Sequence, residues 1–453
     1  MINIKKILNL KSVRTVGFIS VAIMLSKIMG VLRDSFVLKT YALGGINDAF
    51  TTASQIPTLF FDLCLGAAVM STFIPVFNEI MAEKGKREAY KFASNFLNIV
   101  VIISIAFVII GSVFASYIIH LMAPGYTPDI AMLATNLLII ILPSLIFTTI
   151  AYVFVGVLQS LDEFKIPAII SLISNLAVII YIVFFNKFFG IYGLAVALTI
   201  AWSLQALVQV PSLIKKKFKY TFVVNFKDKN LLQAAKISIP ILISAWVQPI
   251  CVLINQRFAS QLGEGSVTAL SYANRIYILV VGVFSYAITN YIFPKLSLVK
   301  NDDSAFNKLV TTGVKSILLI TLPVMIGVML FAPLIIRILY QHGEFTADMT
   351  MITATALRFY CVGMLALGVN EVLCKAFYAH KDGKTPMISA IIGIVVNISF
   401  ALILVATNHV AIWSLALAQG ISSNMVMGYL WLVAYKKGYI GKTHLSEKSS
   451  EGV

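Results

Sequence analysis

An all-α, polytopic membrane protein built from two six-helix halves is the fold class this sequence predicts. Three observations carry it. Of 453 residues, 59% are hydrophobic and only 12% charged; apolar runs recur from residue 15 to residue 435; and landmarks of the first half return in the second. A soluble domain carries roughly 25% charged residues. There are too few polar side chains here to coat a water-exposed surface of this size, so bilayer takes the place of water. A membrane β-barrel needs ten-residue alternation of apolar and polar positions, and stretches such as 97–111 (LNIVVIISIAFVIIG) are apolar all round.

A spanning helix takes about 20 apolar residues, and polar punctuation divides the chain into twelve windows of that kind. The first, 15–38, follows the basic segment MINIKKILNLKSVR and is interrupted by Lys27, Arg33 and Asp34. With no small-residue cleavage site behind it, it reads as a retained span and not as a signal peptide. Windows 48–80, 89–121, 130–158, 165–186 and 190–214 complete an N-lobe over 1–214. The polar stretch KKKFKYTFVVNFKDKN, 215–230, is a basic cytoplasmic linker. Windows 231–260, 266–298, 306–340, 350–379, 385–407 and 409–435 form a C-lobe over 231–437, and 438–453 is a polar cytoplasmic tail. Windows longer than a bilayer needs imply tilt or extension beyond it.

Lysine and arginine alternate between sides at each crossing, which sets orientation. One side carries Lys5, Lys6, Lys11 and Arg14, then Lys84, Lys86, Arg87 and Lys91, then Lys165, the linker lysines, Lys295, Lys300, Lys308, Lys381, Lys384 and the tail. The other side has little more than Lys39, Lys187, Arg257 and Arg337. Both termini are therefore expected in the cytoplasm. The formal charge of +16 follows from this loop bias and from anionic headgroups, not from a nucleic-acid partner. The four cysteines, Cys64, Cys251, Cys361 and Cys374, lie inside apolar runs without disulfide or metal spacing.

At an offset of about 220 residues GGINDAFTTASQI (44–56) lies over GEGSVTALSYANRI (263–276), LMAPGYT (121–127) over LYQHGEFT (339–346), EFKIP (163–167) over DGKTP (382–386), and IYGLAVAL (191–198) over IWSLALAQ (412–419). Copies with an even number of spans enter from the same side and relate by an axis along the membrane normal, as carriers do. Pro57, Pro75, Pro143, Pro240, Pro249, Pro294 and Pro323 bend helices, which suits a molecule that rocks between states. No Walker loop, dinucleotide fingerprint or nucleophile elbow is found, so catalysis and direct ATP use are not expected.

An ionisable residue deep in the bilayer costs about 2.5–3.5 kcal/mol, so each needs a partner or a watery cavity. A central cavity lined by Lys27, Arg33 and Arg275 would bind an anionic group, because phosphate oxygens match guanidinium forks and ammonium point charges. Asp34 and Asp48 would form an outer gate with Arg33; interhelical ion pairing is the competing reading. Asp62 and Arg358 are further cavity candidates, although Arg358, like Lys315, is close enough to a helix end to snorkel. Glu371 and Lys375 are spaced i, i+4 for a structural pair. Asn255 and Asp382 are weak candidates for an ion site, and no metal site is assigned.

SKIMGVLRDSFVLKTYALGGINDAF (26–50), IPTLF (56–60), FIPVFNE (73–79), MAPGY (122–126), FASQLGEGSVTALSYANRI (258–276), LYQHGEFT (339–346) and FYAHKDGKTP (377–386) together resemble the MurJ (MviN) family of lipid II flippases. That family sits within the multidrug/oligosaccharidyl-lipid/polysaccharide (MOP) exporter superfamily. The resemblance covers almost the whole chain. It implies transport of the undecaprenyl-pyrophosphate-linked peptidoglycan precursor, lipid II, from the inner to the outer leaflet of the bacterial cytoplasmic membrane by alternating access. It also implies that Lys27, Arg33 and Arg275 are cavity cations and Asp34 and Asp48 outer-gate acids. The energy source would be Na+ or the membrane potential, and cell-wall synthesis proteins the partners.

Lys27 stands where the family usually has arginine. Phe61 and Asp62 stand where many members have paired arginines, and the family's two further helices after the twelfth are not expected here. Another polyprenyl-linked oligosaccharide is accordingly the alternative cargo. A MATE-type drug exporter would favour acidic cavity residues, and a non-transporting membrane scaffold would tolerate loss of every buried charge.

Overall fold

The computed structural model describes residues 10–66, 72–228, 230–232, 246–299, 301–380, 382–407 and 410–441. Lys5, Lys6, Lys229, Pro240, Lys300, Lys381, Lys442, Lys448 and part of the window 231–260 lie outside them. Every regular element among the described residues is helical. The first half runs α1 (Leu10–Tyr41), α2 (Gly45–Phe61), α3 (Ile74–Lys84), α4 (Lys86–Val113), α5 (Ala115–Met122), α6 (Pro128–Ile141), α7 (Ser144–Ser160), α8 (Lys165–Ile180), α9 (Asn186–Leu207) and α10 (Val210–Lys215). The second runs α11 (Val247–Ala259), α12 (Ser266–Leu298), α13 (Asp303–Tyr340), α14 (Ala347–Tyr360), α15 (Met364–Ala379), α16 (Lys384–Ala406) and α17 (Ile412–Lys436).

Each sequence window has a helical counterpart, and 266–298 matches α12 residue for residue. Several windows are split where backbone chemistry requires it. Pro143 has no N–H to offer the carbonyl of Ile139, and the window 130–158 breaks there into α6 and α7. Gly190 adopts φ +54°, outside the helical region, and the Tyr181 hydroxyl donates to its carbonyl at 2.7 Å. Seven of the helical stretches among the described residues are long and apolar enough to cross a membrane.

The chain divides into two compact units, residues 1–242 with 339–346, and residues 243–338 with 347–453. In the first, one core gathers Phe73, which precedes α3, with Phe77 of α3 and Phe92 and Phe96 of α4 against α7. A second packs α2 on α6 around Ala53, Ile56, Leu137 and Leu138. The core of the other unit joins α12, α13, α15 and α17 through Leu296, Val310, Phe377 and Leu430. At the junction of α14 and α15, a Cβ on Gly363 would lie 2.8 Å from the Cα of Gly420, so two small residues let α17 come within backbone contact. The outward faces are as apolar as the cores: Ile109, Ile110 and Val113 of α4 and Leu319, Leu330 and Phe331 of α13 are exposed. In water that would be a large penalty; in lipid it is the expected surface.

The repeat landmarks occupy matching places. GGINDAF and GEGSVTALSYANRI open α2 and α12, EFKIP and DGKTP open α8 and α16, and IYGLAVAL and IWSLALAQ lie in α9 and α17.

Candidate functional site

Three charged residues of α1 are retained inside the first unit, and α8 explains how. Arg33 donates to one oxygen of Asp34 twice, from Nε at 3.1 Å and from Nη2 at 2.8 Å, and a third time from Nη1 to Oδ1 of Asn175 at 3.1 Å. Asn175 in turn donates from Nδ2 to the carbonyl of Ser26 at 3.2 Å. The Ser26 hydroxyl reaches the carbonyls of Ala22 at 2.8 Å and Ala168 at 3.4 Å. Asp34 is buried, whereas the Arg33 side chain keeps 27% of its surface accessible. A desolvated carboxylate beside a partly accessible guanidinium fits a cation that is held in place and still has donor capacity for an anion.

Lys27 sits on a different face of α1, at a cleft of about 390 Å³. The cleft is closed by Tyr152, Val155 and Gln159 of α7 and by Ala168 and Ser171 of α8. Its walls are mainly apolar, with Lys27, Ser26, Gln159 and Ser171 as polar points.

Asp48 lies in the first turn of α2, buried at 1% exposure, where a helix N-terminus favours negative charge. Tyr126 ties its backbone down, donating to the Asp48 carbonyl at 3.0 Å and sharing a 2.6 Å hydrogen bond with Thr52. Phe61 is buried against the Tyr152 ring at 4.8 Å, and Asp62 is exposed at the start of a π-helical turn, Asp62–Gly66.

In the second unit Arg275 is half-buried on α12, with its guanidinium 4.7 Å from the ring centre of Tyr272. Arg358 of α14 donates from Nε to the carbonyl of Met329 at 3.0 Å. That carbonyl is four residues before Pro333, which cannot supply the helical N–H, so Arg358 satisfies a group that proline leaves open in α13. Asn255 is buried on α11 and donates to Gln419 at 3.4 Å. Asp382 pairs with Lys437 at 2.6 Å and accepts from the backbone and hydroxyl of Thr385 at 3.0 and 2.7 Å. Asp382 is engaged by these contacts, whereas the buried Oδ1 of Asn255 has no hydrogen-bond partner. No cluster of three or more metal-ligating side chains occurs among the described residues.

Sequence reasoning missed Asn175, Ser26 and Gln159, which orient or neighbour the α1 cations. The signal was present for Asn175, a lone amide in the apolar run SLISNLAVII, where a polar group needs a partner.

The chain is 28% identical over 438 residues to the probable lipid II flippase MurJ of Buchnera aphidicola subsp. Schizaphis graminum, covering 95% of this chain and 84% of that one. It is 29% identical over 387 residues to the lipid II flippase MurJ of Thermosipho africanus, covering 84% and 78%. Among solved structures, a lipid II flippase MurJ in an inward closed conformation superposes with a TM-score of 0.80 at 28% identity, over 93% of this chain and 88% of that one. An inward-facing multidrug resistance MATE family transporter of the MOP superfamily reaches 0.78 at 16% identity, over 91% and 94%, a likeness of fold alone. Residues 42–450 match the family model of the lipid II flippase MurJ, and the chain belongs to that family.

Proposed function

We propose that this multi-pass inner-membrane protein is a flippase for lipid II, and that Lys27, Arg33 and Arg275 hold the anionic diphosphate of the cargo while alternating access exposes it to each leaflet. Family membership over residues 42–450 carries the reading. The chemistry supports it. A lipid-linked diphosphate must shed water to pass the bilayer, and a cation already held in orientation replaces part of that water with little reorganisation. Arg33 has this character: Asp34 and Asn175 hold it, and part of its surface stays open. Asp34 and Asp48 would then neutralise the cations when cargo is absent. The free energy for outward movement would come from the membrane potential or a Na+ gradient, and both termini would face the cytoplasm. Phe61 and Asp62, which place an aromatic ring and a carboxylate in a region expected to be cationic, favour another polyprenyl-linked glycan as the second reading.

The test is rescue of a bacterium depleted of its own lipid II flippase, with outer-leaflet lipid II as the readout. The native chain is expected to restore it, and Arg33→Ala and Arg275→Ala are expected to insert normally and fail. A native chain that inserts but does not restore lipid II would overturn the cargo assignment in favour of another polyprenyl-linked glycan.

A further inference from the structure

The segment after α10 is built as a structural part, although a tether between two halves needs no structure. Residues 218–225 lie along α4 without regular secondary structure and are pinned by three side chains of that helix. Ser94 accepts from the Thr221 N–H at 3.1 Å, and Asn98 accepts from the Tyr220 hydroxyl at 2.7 Å while donating to the Val223 carbonyl at 2.9 Å. Asn95 pairs with both backbone groups of Asn225, at 3.0 and 2.7 Å. Lys216 clips the start to the carbonyl of Leu161 at 2.6 Å, and the Phe218 ring packs edge-on against Tyr90 at 5.1 Å.

Held this way, the segment leaves Phe222, Val224 and Phe226 exposed, Phe222 at 81%. Beneath the segment lies a cavity of about 440 Å³, a size typical of small-ligand sites. Leu97 and Val101 of α4, Phe154 of α7, Ile214 of α10 and Phe218 wall it with apolar surface, and Asn98 and Tyr220 supply a polar edge. Lys215, Lys217 and Lys219, interleaved with the lining residues Ile214, Phe218 and Tyr220, are exposed. An apolar slot, a hydrogen-bonding edge and adjoining ammonium groups match one kind of molecule: an amphiphile with an acyl chain and an anionic phosphodiester head.

We propose that this slot and its lysine rim form a binding site for an anionic phospholipid of the basic-side leaflet, the acyl chain entering between α4, α7 and α10 and the head resting on Lys215, Lys217 and Lys219. The exposed rings of Phe222 and Phe226 seat the segment at the headgroup level, where aromatic rings are favoured, and each lysine near an anionic surface adds attraction. The site is separate from the α1 cations and does not depend on which lipid-linked glycan is moved.

The test uses the purified full chain in detergent, titrated with phosphatidylglycerol, with phosphatidylcholine of the same acyl chains, or with glycerol 3-phosphate, and read by native mass spectrometry. The native chain is expected to retain phosphatidylglycerol on the order of tenfold more than phosphatidylcholine. K215Q/K217Q/K219Q is expected to abolish that preference with helix content unchanged, since all three side chains are exposed. Val101→Phe, which fills the slot, is expected to lower retention of both lipids, and glycerol 3-phosphate is expected not to displace phosphatidylglycerol. Equal retention of the two lipids by the native chain would overturn the proposal. So would an equal loss from K84Q/K86Q, which makes the effect diffuse charge, or displacement by glycerol 3-phosphate, which makes the site a headgroup contact without a chain.

Discussion

Arg33 stands in two relations at once, to Asp34 and Asn175 inside the fold and to a cargo that needs positive charge, and mutation can separate them. Asp34→Leu leaves a guanidinium short of its counter-charge, a loss of about 3 kcal/mol by the logic of broken buried pairs. Arg33→Leu combined with Asp34→Leu removes both charges and should recover most of that stability in a double-mutant cycle measured by thermal unfolding in detergent. If Arg33 serves only the fold, the double variant regains transport with its stability; if it holds cargo, transport stays lost while stability returns, which is the expected result. A second pair is structural. Arg358→Gln strips the Met329 carbonyl of its donor and should cost about 1–3 kcal/mol. Pro333→Ala restores the helical N–H, so in that background Arg358→Gln should cost much less. An unchanged cost in the Pro333→Ala background would show that Arg358 acts elsewhere.

At the scale of elements, polar side chains finish what apolar windows leave open. Asp382 caps the start of α16 through Thr385 and clasps the end of α17 through Lys437. Partial burial works against ionisation of Asp382, but the hydrogen bonds from Lys437 and Thr385 outweigh it and hold the carboxyl below its ordinary value. The same hydrogen bond holds the Lys437 ammonium above its own. A lowered carboxyl contributes stability above the unfolded carboxylate pKa, lost as pH falls through the folded value; a raised ammonium contributes below the unfolded lysine pKa, lost as pH rises through the folded one. The clasp is therefore intact between roughly pH 4 and pH 10. Asp382→Asn should lower thermal stability by up to about 1 kcal/mol at neutral pH, discounted because Lys437 is partly exposed, and by nothing measurable near pH 2. A deficit that persists unchanged at that pH would assign the loss to the cap geometry instead of the charge. Window positions were legible because lipid demands uninterrupted apolar helix. The split at Pro143 was visible as a residue but not as an end, since proline bends some membrane helices, as Pro57 does inside α2, and terminates others. The α1 cations were legible as charges out of place. Asn175 was visible as an amide in need of a partner, but its partner, like those of Ser94, Asn95 and Asn98, was not, because an uncharged side chain gives no hint of which distant segment it meets.

For the molecule as a whole, the arrangement of lysine and arginine sets which way the helices enter the membrane, and it makes a claim that no single helix makes. Short loops rich in cations stay on the side of synthesis, and the chain places six lysines between 215 and 229 against one histidine and no lysine or arginine in 339–346. The first segment begins after α10 and the second joins α13 to α14, so an odd number of crossings separates them if the windows α11, α12 and α13 each cross once. Reporter insertions at residue 222 and at residue 342 should then report opposite sides, with 222 in the cytoplasm. Cations added at 341–343 should raise the fraction of molecules in which the helices after α10 are misoriented, because each adds a retention signal on the opposite side. Reporters that agree in sign would mean that the number of crossings between them is even, and the twelve-span reading would give way to one in which a helix of the second half does not cross.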